Sequence, residues 1–199
     1  GGVYLDEGNH IINRNKIIKN STLDTSSNSN NGGGGINGFN AVMTISNNLI
    51  DSNSTYTGGG GIYHFSYYNG NKCYFYNNII SNNYSKRHGG GIAVLWSLAY
   101  VINNTFYNNQ CENEGERGGA LAIDNATGAL VYNNIFWNNK YKLSIDSFGS
   151  DIFSYSAPTL KNNLFQVDSI LIYTYSINPT SINNIFKSNP QFKGGSGMD

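Results

Sequence analysis

Two short motifs recur in fixed order along the whole chain, and no other feature restricts the fold as strongly. The first is a Gly-Gly-small-apolar step, found as Gly33-Gly34-Gly35-Ile36, Gly59-Gly60-Gly61-Ile62, Gly89-Gly90-Gly91-Ile92 and Gly118-Gly119-Ala120-Leu121. Gly1-Gly2-Val3-Tyr4 reads as an earlier copy, and Gly149-Ser150-Asp151-Ile152 and Ser169-Ile170-Leu171-Ile172 as degenerate later ones. Ten to fifteen residues after each comes an Asn pair, a spacer and an Ile or Phe, as in Asn77-Asn78-Ile79-Ile80 and Asn133-Asn134-Ile135-Phe136. Four copies add a further Asn (Asn53, Asn83, Asn109, Asn139), while the first coil carries Ser21 where that Asn is expected.

The residue two before each pair is apolar (Ile45, Phe75, Val101, Val131, Leu160), and the Ile or Phe after it lies five residues further on. An odd separation places two side chains on opposite faces of one strand, so the strand must bend at the pair for both to point inward. Asn is the non-glycine residue that best tolerates the left-handed conformation such a bend needs, and stacked coils align its amides in a hydrogen-bonded column. Glycine serves the matching corner. The expectation is an all-β, single-stranded, right-handed parallel β-helix of about seven coils. The coils are anchored near residues 4, 36, 62, 92, 121, 152 and 172, with three short strands each, and residues 1–199 form one domain. Because the sequence opens inside a repeat without an initiator Met, it is expected to be a piece of a longer chain.

Composition narrows the function classes. There are 34 Asn and 24 Gly, only 12% of residues are charged, and 12 basic residues balance 12 acidic ones. A chain with no net charge has no field with which to hold phosphates or anionic lipid, so nucleic acid and membrane-surface partners are not expected. The apolar runs, such as Ile92 to Trp96, are far too short to span a bilayer. Cys73 and Cys111 occupy different places in their repeats, which predicts two free thiols.

The Gly-Gly-small-apolar and Phe-x-x-Asn pairs, best seen in Phe106-Tyr107-Asn108-Asn109 and Phe136-Trp137-Asn138-Asn139, resemble the repeats of polymorphic outer-membrane proteins. Those repeats belong to the pectate-lyase-like β-helix superfamily. The resemblance covers Gly1 to about Phe192, and Asn189-Pro190-Gln191-Phe192 resembles a segment leading out of such a helix. It implies a secreted or surface-displayed passenger region, adhesin-like or carbohydrate-associated, and assigns no active site.

Candidate chemistry is sparse. Acids do not recur at one place in successive coils, since Asp51 is matched by Ser81, Tyr107, Trp137 and Gln166. The exception is a pair of consecutive corners: Lys86-Arg87-His88 before one glycine step, and Glu112, Glu114, Glu116 and Arg117 before the next. These supply a base and a charge stabiliser for a polysaccharide lyase or glycosidase, or else a surface ion-pair network. His10 and His64 lack a paired carboxylate and are weaker candidates. Tyr76 and Tyr132 before the bend, and Tyr107 and Trp137 after it, should face outward, where rings suit sugar faces or a protein partner. The leading expectation is a noncatalytic extracellular module contacting a glycan or a host or cell-surface protein, without membrane insertion. No cofactor or metal is expected, Ca2+ entering only under the lyase alternative. An ice-binding β-helix is weaker, because no flat Thr or Ser array is visible.

Overall fold

The computed structural model describes residues 1–23, 32–68, 70–112, 118–124, 128–144, 149–166, 173–174 and 179–190. Among them every strand is parallel to its neighbours and there is no helix, giving a β-solenoid with four sheets along one axis. The third coil shows the plan: Ile62–Phe65 joins the first sheet, Lys72–Tyr76 the second, Ile79–Ser81 the third and Tyr84–Ser85 the fourth. Among the described residues the first three sheets each hold seven strands and the fourth holds five, all with strands from successive coils side by side.

The bend is set by the first Asn of each pair. Asn47, Asn77, Asn103, Asn133, Asn162 and Asn183 all have φ between 51° and 58°, the left-handed region. The second Asn turns inward, where Asn48, Asn78, Asn104, Asn134 and Asn163 are buried in one column. Within it the Asn78 amide nitrogen donates to Asn104 Oδ1 at 3.0 Å and to the Ile45 carbonyl at 2.8 Å, while the Asn78 backbone N–H also donates to Asn104 Oδ1. The bend thereby turns both flanking apolar residues inward, so Ile45, Phe75, Val101, Val131 and Leu160 face Ile50, Ile80, Phe106, Phe136 and Phe165 in one core. Phe106, Phe136, Phe165 and Phe186 stack ring on ring at 4.8, 5.0 and 5.4 Å.

The glycine corner has a steric cause. Gly59 has φ +68°, and a Cβ on Gly60 would stand 2.4 Å from the carbonyl oxygens of Gly90 and Tyr84. No side chain fits where backbones of adjacent coils approach this closely.

Three expectations change. Each full coil has four strands rather than three, because the further Asn makes a second bend: Asn82, Asn108 and Asn138 are left-handed, and Asn53, Asn83, Asn109 and Asn139 form a second buried column. Among the described residues about five turns carry all four strands, fewer than the seven expected, Lys140–Tyr141 being the last described strand of the fourth sheet. In the first coil Asn20, not Ser21, fills the second column, its amide donating to Asn53 Oδ1 at 2.9 Å, because Ile17 rather than Ile18 pairs with Ile50.

Candidate functional site

Regular stacking decides which outward side chains meet. Along the second sheet, Tyr76, Ile102 and Tyr132 occupy one row in neighbouring coils, and Tyr74, Tyr100 and Leu130 occupy the next. Tyr76 and Tyr132 are therefore separated by Ile102. The closer pair is Tyr74 and Tyr100, stacked at 4.9 Å with planes 18° apart, and Tyr76 lies 5.9 Å from Tyr74. Tyr74 and Tyr100 each precede their Asn pair by three residues, so equal offset from the pair was the signal that would have found them. Burial, and then the neighbouring Tyr74 and Tyr100, push the Tyr76 phenol above its usual pKa.

Tyr107 and Trp137 are register partners on the third sheet, both half-buried. The four expected aromatics thus form two groups on two faces, with the bend at Asn77, Asn103 and Asn133 between them. The first group is the broader, because Leu98, Ile102 and Leu130 extend it with apolar surface.

The charged corner comes together only in part. Glu114, Glu116 and Arg117 lie outside the described residues. Lys86 turns toward the preceding coil, with its Nζ 4.4 Å from the Tyr56 ring centroid and 3.2 Å from the Tyr56 hydroxyl. Glu112 accepts a hydrogen bond from the Tyr84 hydroxyl, and burial followed by this carboxylate raises the Tyr84 pKa. Arg87 and His88 are half-buried, and their carbonyls accept from the Cys111 thiol and the Gly59 N–H. Among the described residues no group of three or more His, Cys, Asp or Glu is placed to share a metal ion.

Two titratable groups are buried: Asp151, not among the candidates, and His64, one of the weaker ones. Asp151 stands where other coils have Gly35, Gly61, Gly91 and Ala120, and its Oδ1 accepts from Asn139 Nδ2 at 3.0 Å. The second Asn column therefore ends on a carboxyl, which burial pushes up to about 7 against the Asn139 hydrogen bond. Asp151 Oδ2 is buried without a partner. His64 points into the core, its Nε2 2.8 Å from the Ala41 carbonyl and its Nδ1 without a partner. Burial lowers its pKa to about 4. Cys73 and Cys111 are buried and not disulfide-bonded, as their unequal places in the repeat predicted, and burial raises the Cys73 thiol pKa.

Outside the core, the rows on the exposed bends form a third set of amides. Asn138 donates to Asn108 at 3.1 Å, Asn108 to Asn82 at 2.7 Å and Asn82 to Asp51 at 2.7 Å. This row donates toward the N-terminal end, opposite to the two buried columns. Burial opposes ionisation of Asp51, but hydrogen bonds from Ser81, Asn82 and Ser52 and the charge of Lys19 hold its pKa below the usual carboxylate value.

A family model described as a right handed beta helix region matches residues 65–198, about two thirds of the chain. No curated protein and no solved structure matches it.

Proposed function

Since the chain belongs to the family of right-handed β-helix regions, we propose that it is a noncatalytic module, secreted or displayed at a cell surface, that holds a rigid outer face against a glycan. The observation that carries this reading is the second-sheet face, where Tyr74, Tyr76, Tyr100 and Tyr132 project among Leu98, Ile102 and Leu130. A contiguous aromatic and apolar patch on a soluble surface usually signifies a partner. The scaffold suits such a role, because the buried columns fix the spacing of the rings and little ordering remains to be done on binding. The similarity to polymorphic outer-membrane protein repeats supports an adhesin-like setting, in which a host or cell-surface protein is the other partner to consider.

A glycan-array screen with the purified chain tests this. Binding by the wild type, weakened at least about tenfold in a Tyr100→Ala/Tyr132→Ala variant that keeps its melting temperature, is the expected result; tenfold corresponds to about 1.4 kcal/mol. Release of reducing or unsaturated ends from a polysaccharide, abolished by Arg117→Ala, would instead establish the lyase or glycosidase reading built on Lys86, Arg87, His88, Glu114, Glu116 and Arg117.

A further inference from the structure

A separate groove of about 330 Å³ lies on the outer side of the fourth sheet, near its N-terminal end. Ligand pockets span roughly 300–1,000 Å³, so it has room for about one or two sugar rings. Ser21 and Ser54, from adjacent coils, line it with their hydroxyls 3.0 Å apart, the Ser54 hydroxyl donating. Tyr56 and Tyr84 bring aromatic rings to it, and Leu23, 85% exposed, adds an uncovered apolar side chain.

Among the described residues Lys86 is the one charged residue that lines it, and Glu112 reaches it only through the Tyr84 hydroxyl. Lys86 is anchored on Tyr56, and Glu112 is anchored on Tyr84, the other tyrosine of the groove. The one lining ammonium and the one carboxylate held by a lining tyrosine sum to zero, so among the described residues the groove offers oriented donors and acceptors without a field favouring a charged ligand. An ammonium has three N–H donors and Lys86 uses one on Tyr56. The remaining Lys86 donors and the two serine hydroxyls can meet a ring of hydroxyls, while Leu23 and the tyrosine rings accept an apolar face.

We infer that this groove is a binding site for a neutral sugar. The site deepens the glycan reading proposed above and rests on it, but it stands on a different sheet from Tyr100 and Tyr132, so the two are separable by mutation.

The test is calorimetric titration of the full chain with neutral glucose and mannose oligosaccharides, and with matched oligosaccharides containing uronic acid, at about 0.05 and 0.5 M salt. The expected result is binding of a neutral oligosaccharide that salt does not weaken, no tighter binding of its acidic counterpart, and at least about a tenfold loss on Tyr56→Ala. Tyr56→Phe, which keeps the ring and loses only the hydroxyl held by Lys86, should lose no more than a few-fold, and thermal melts exclude unfolding as the cause. A tenfold preference for the acidic sugar, a strong salt dependence, or neutral binding indifferent to Tyr56→Ala would overturn the inference. If binding disappears in the Tyr100→Ala/Tyr132→Ala variant and persists in Tyr56→Ala, the groove inference fails and the proposed function stands. If no glycan binds the wild type, both fail.

Discussion

The two buried asparagine columns begin alike and end differently. The first runs through Asn15, Asn48, Asn78, Asn104, Asn134, Asn163 and Asn184 without a break. The second runs through Asn20, Asn53, Asn83, Asn109 and Asn139 and then meets Asp151, which reaches in from the glycine corner. An amide both accepts and donates, so each rung prepares the next; the Asp151 carboxyl accepts from Asn139 through Oδ1 and leaves Oδ2 without a partner, so it closes the column. The fourth sheet ends at the same coil, with Lys140–Tyr141 its last strand among the described residues. Among the described residues the first column thus accompanies every coil, and the second accompanies those with four sides.

If the first column is what keeps successive coils in register, breaking it in the middle should have the largest effect. Asn104→Ala removes the acceptor for the Asn78 N–H and amide, at 2.9 and 3.0 Å, and the donor to the Phe75 carbonyl at 2.8 Å and to Asn134. Each buried group left without a partner costs about 1–3 kcal/mol, so a loss of about 3–5 kcal/mol is expected in urea denaturation. A loss under about 1 kcal/mol would mean that apolar stacking alone sets the register.

Asp151→Asn would give the second column an amide end like that of the first, and its effect depends on pH. The Asp151 carboxyl, at about 7 when folded against an ordinary value of 3.8, binds a proton more tightly in the folded chain. Its contribution is therefore present below the unfolded value and is lost as pH rises toward 7, by up to about 4 kcal/mol. His64, at about 4 against 6.5, has the opposite sign: its contribution is present above 6.5 and is lost as pH falls toward 4, by up to about 3 kcal/mol. Between about pH 4 and 6.5 the two slopes cancel. Asp151→Asn should raise the melting temperature at pH 8 and expose a decline on acidification below 6.5 that the wild type conceals. Superimposable melting curves across that range would refute the assignment of either group.

What the sequence revealed follows the same division. The first column was legible because its constraint is local and periodic: an odd spacing between two inward residues requires a bend, and a left-handed Asn supplies it at every repeat. Asn53, Asn83, Asn109 and Asn139 were visible as repeated residues, but two-residue strands such as Ser54–Thr55 and Tyr84–Ser85 are too short to show alternation, so the fourth sheet was not. Asp151 was hidden for a related reason. That the third place of the glycine step faces the second column can be learned only from the stack, where a Cβ on Gly61 would approach Asn83 Nδ2 at 3.1 Å. On the surface, the outward direction of Tyr76 and Tyr132 followed from alternation, whereas their separation by Ile102 depended on matching rows across coils.

The exposed amide row sharpens the comparison by holding the chemistry constant while changing the solvent. Asn138 donates to Asn108 at 3.1 Å and has φ 54°, so it combines a rung with a left-handed bend. Asn138→Gly removes the rung and keeps the bend, since glycine enters the left-handed region without penalty. Water replaces a hydrogen bond lost at a half-buried surface, so the net change should be about 1 kcal/mol or less in the urea experiment used for Asn104→Ala. The ratio between the two is the informative quantity. A several-fold difference locates the holding power of the amide columns in their burial. Equal losses would place it in the repetition of the rungs themselves, inside or out, and the outer row ending on Asp51 would then rank with the buried columns as a structural element.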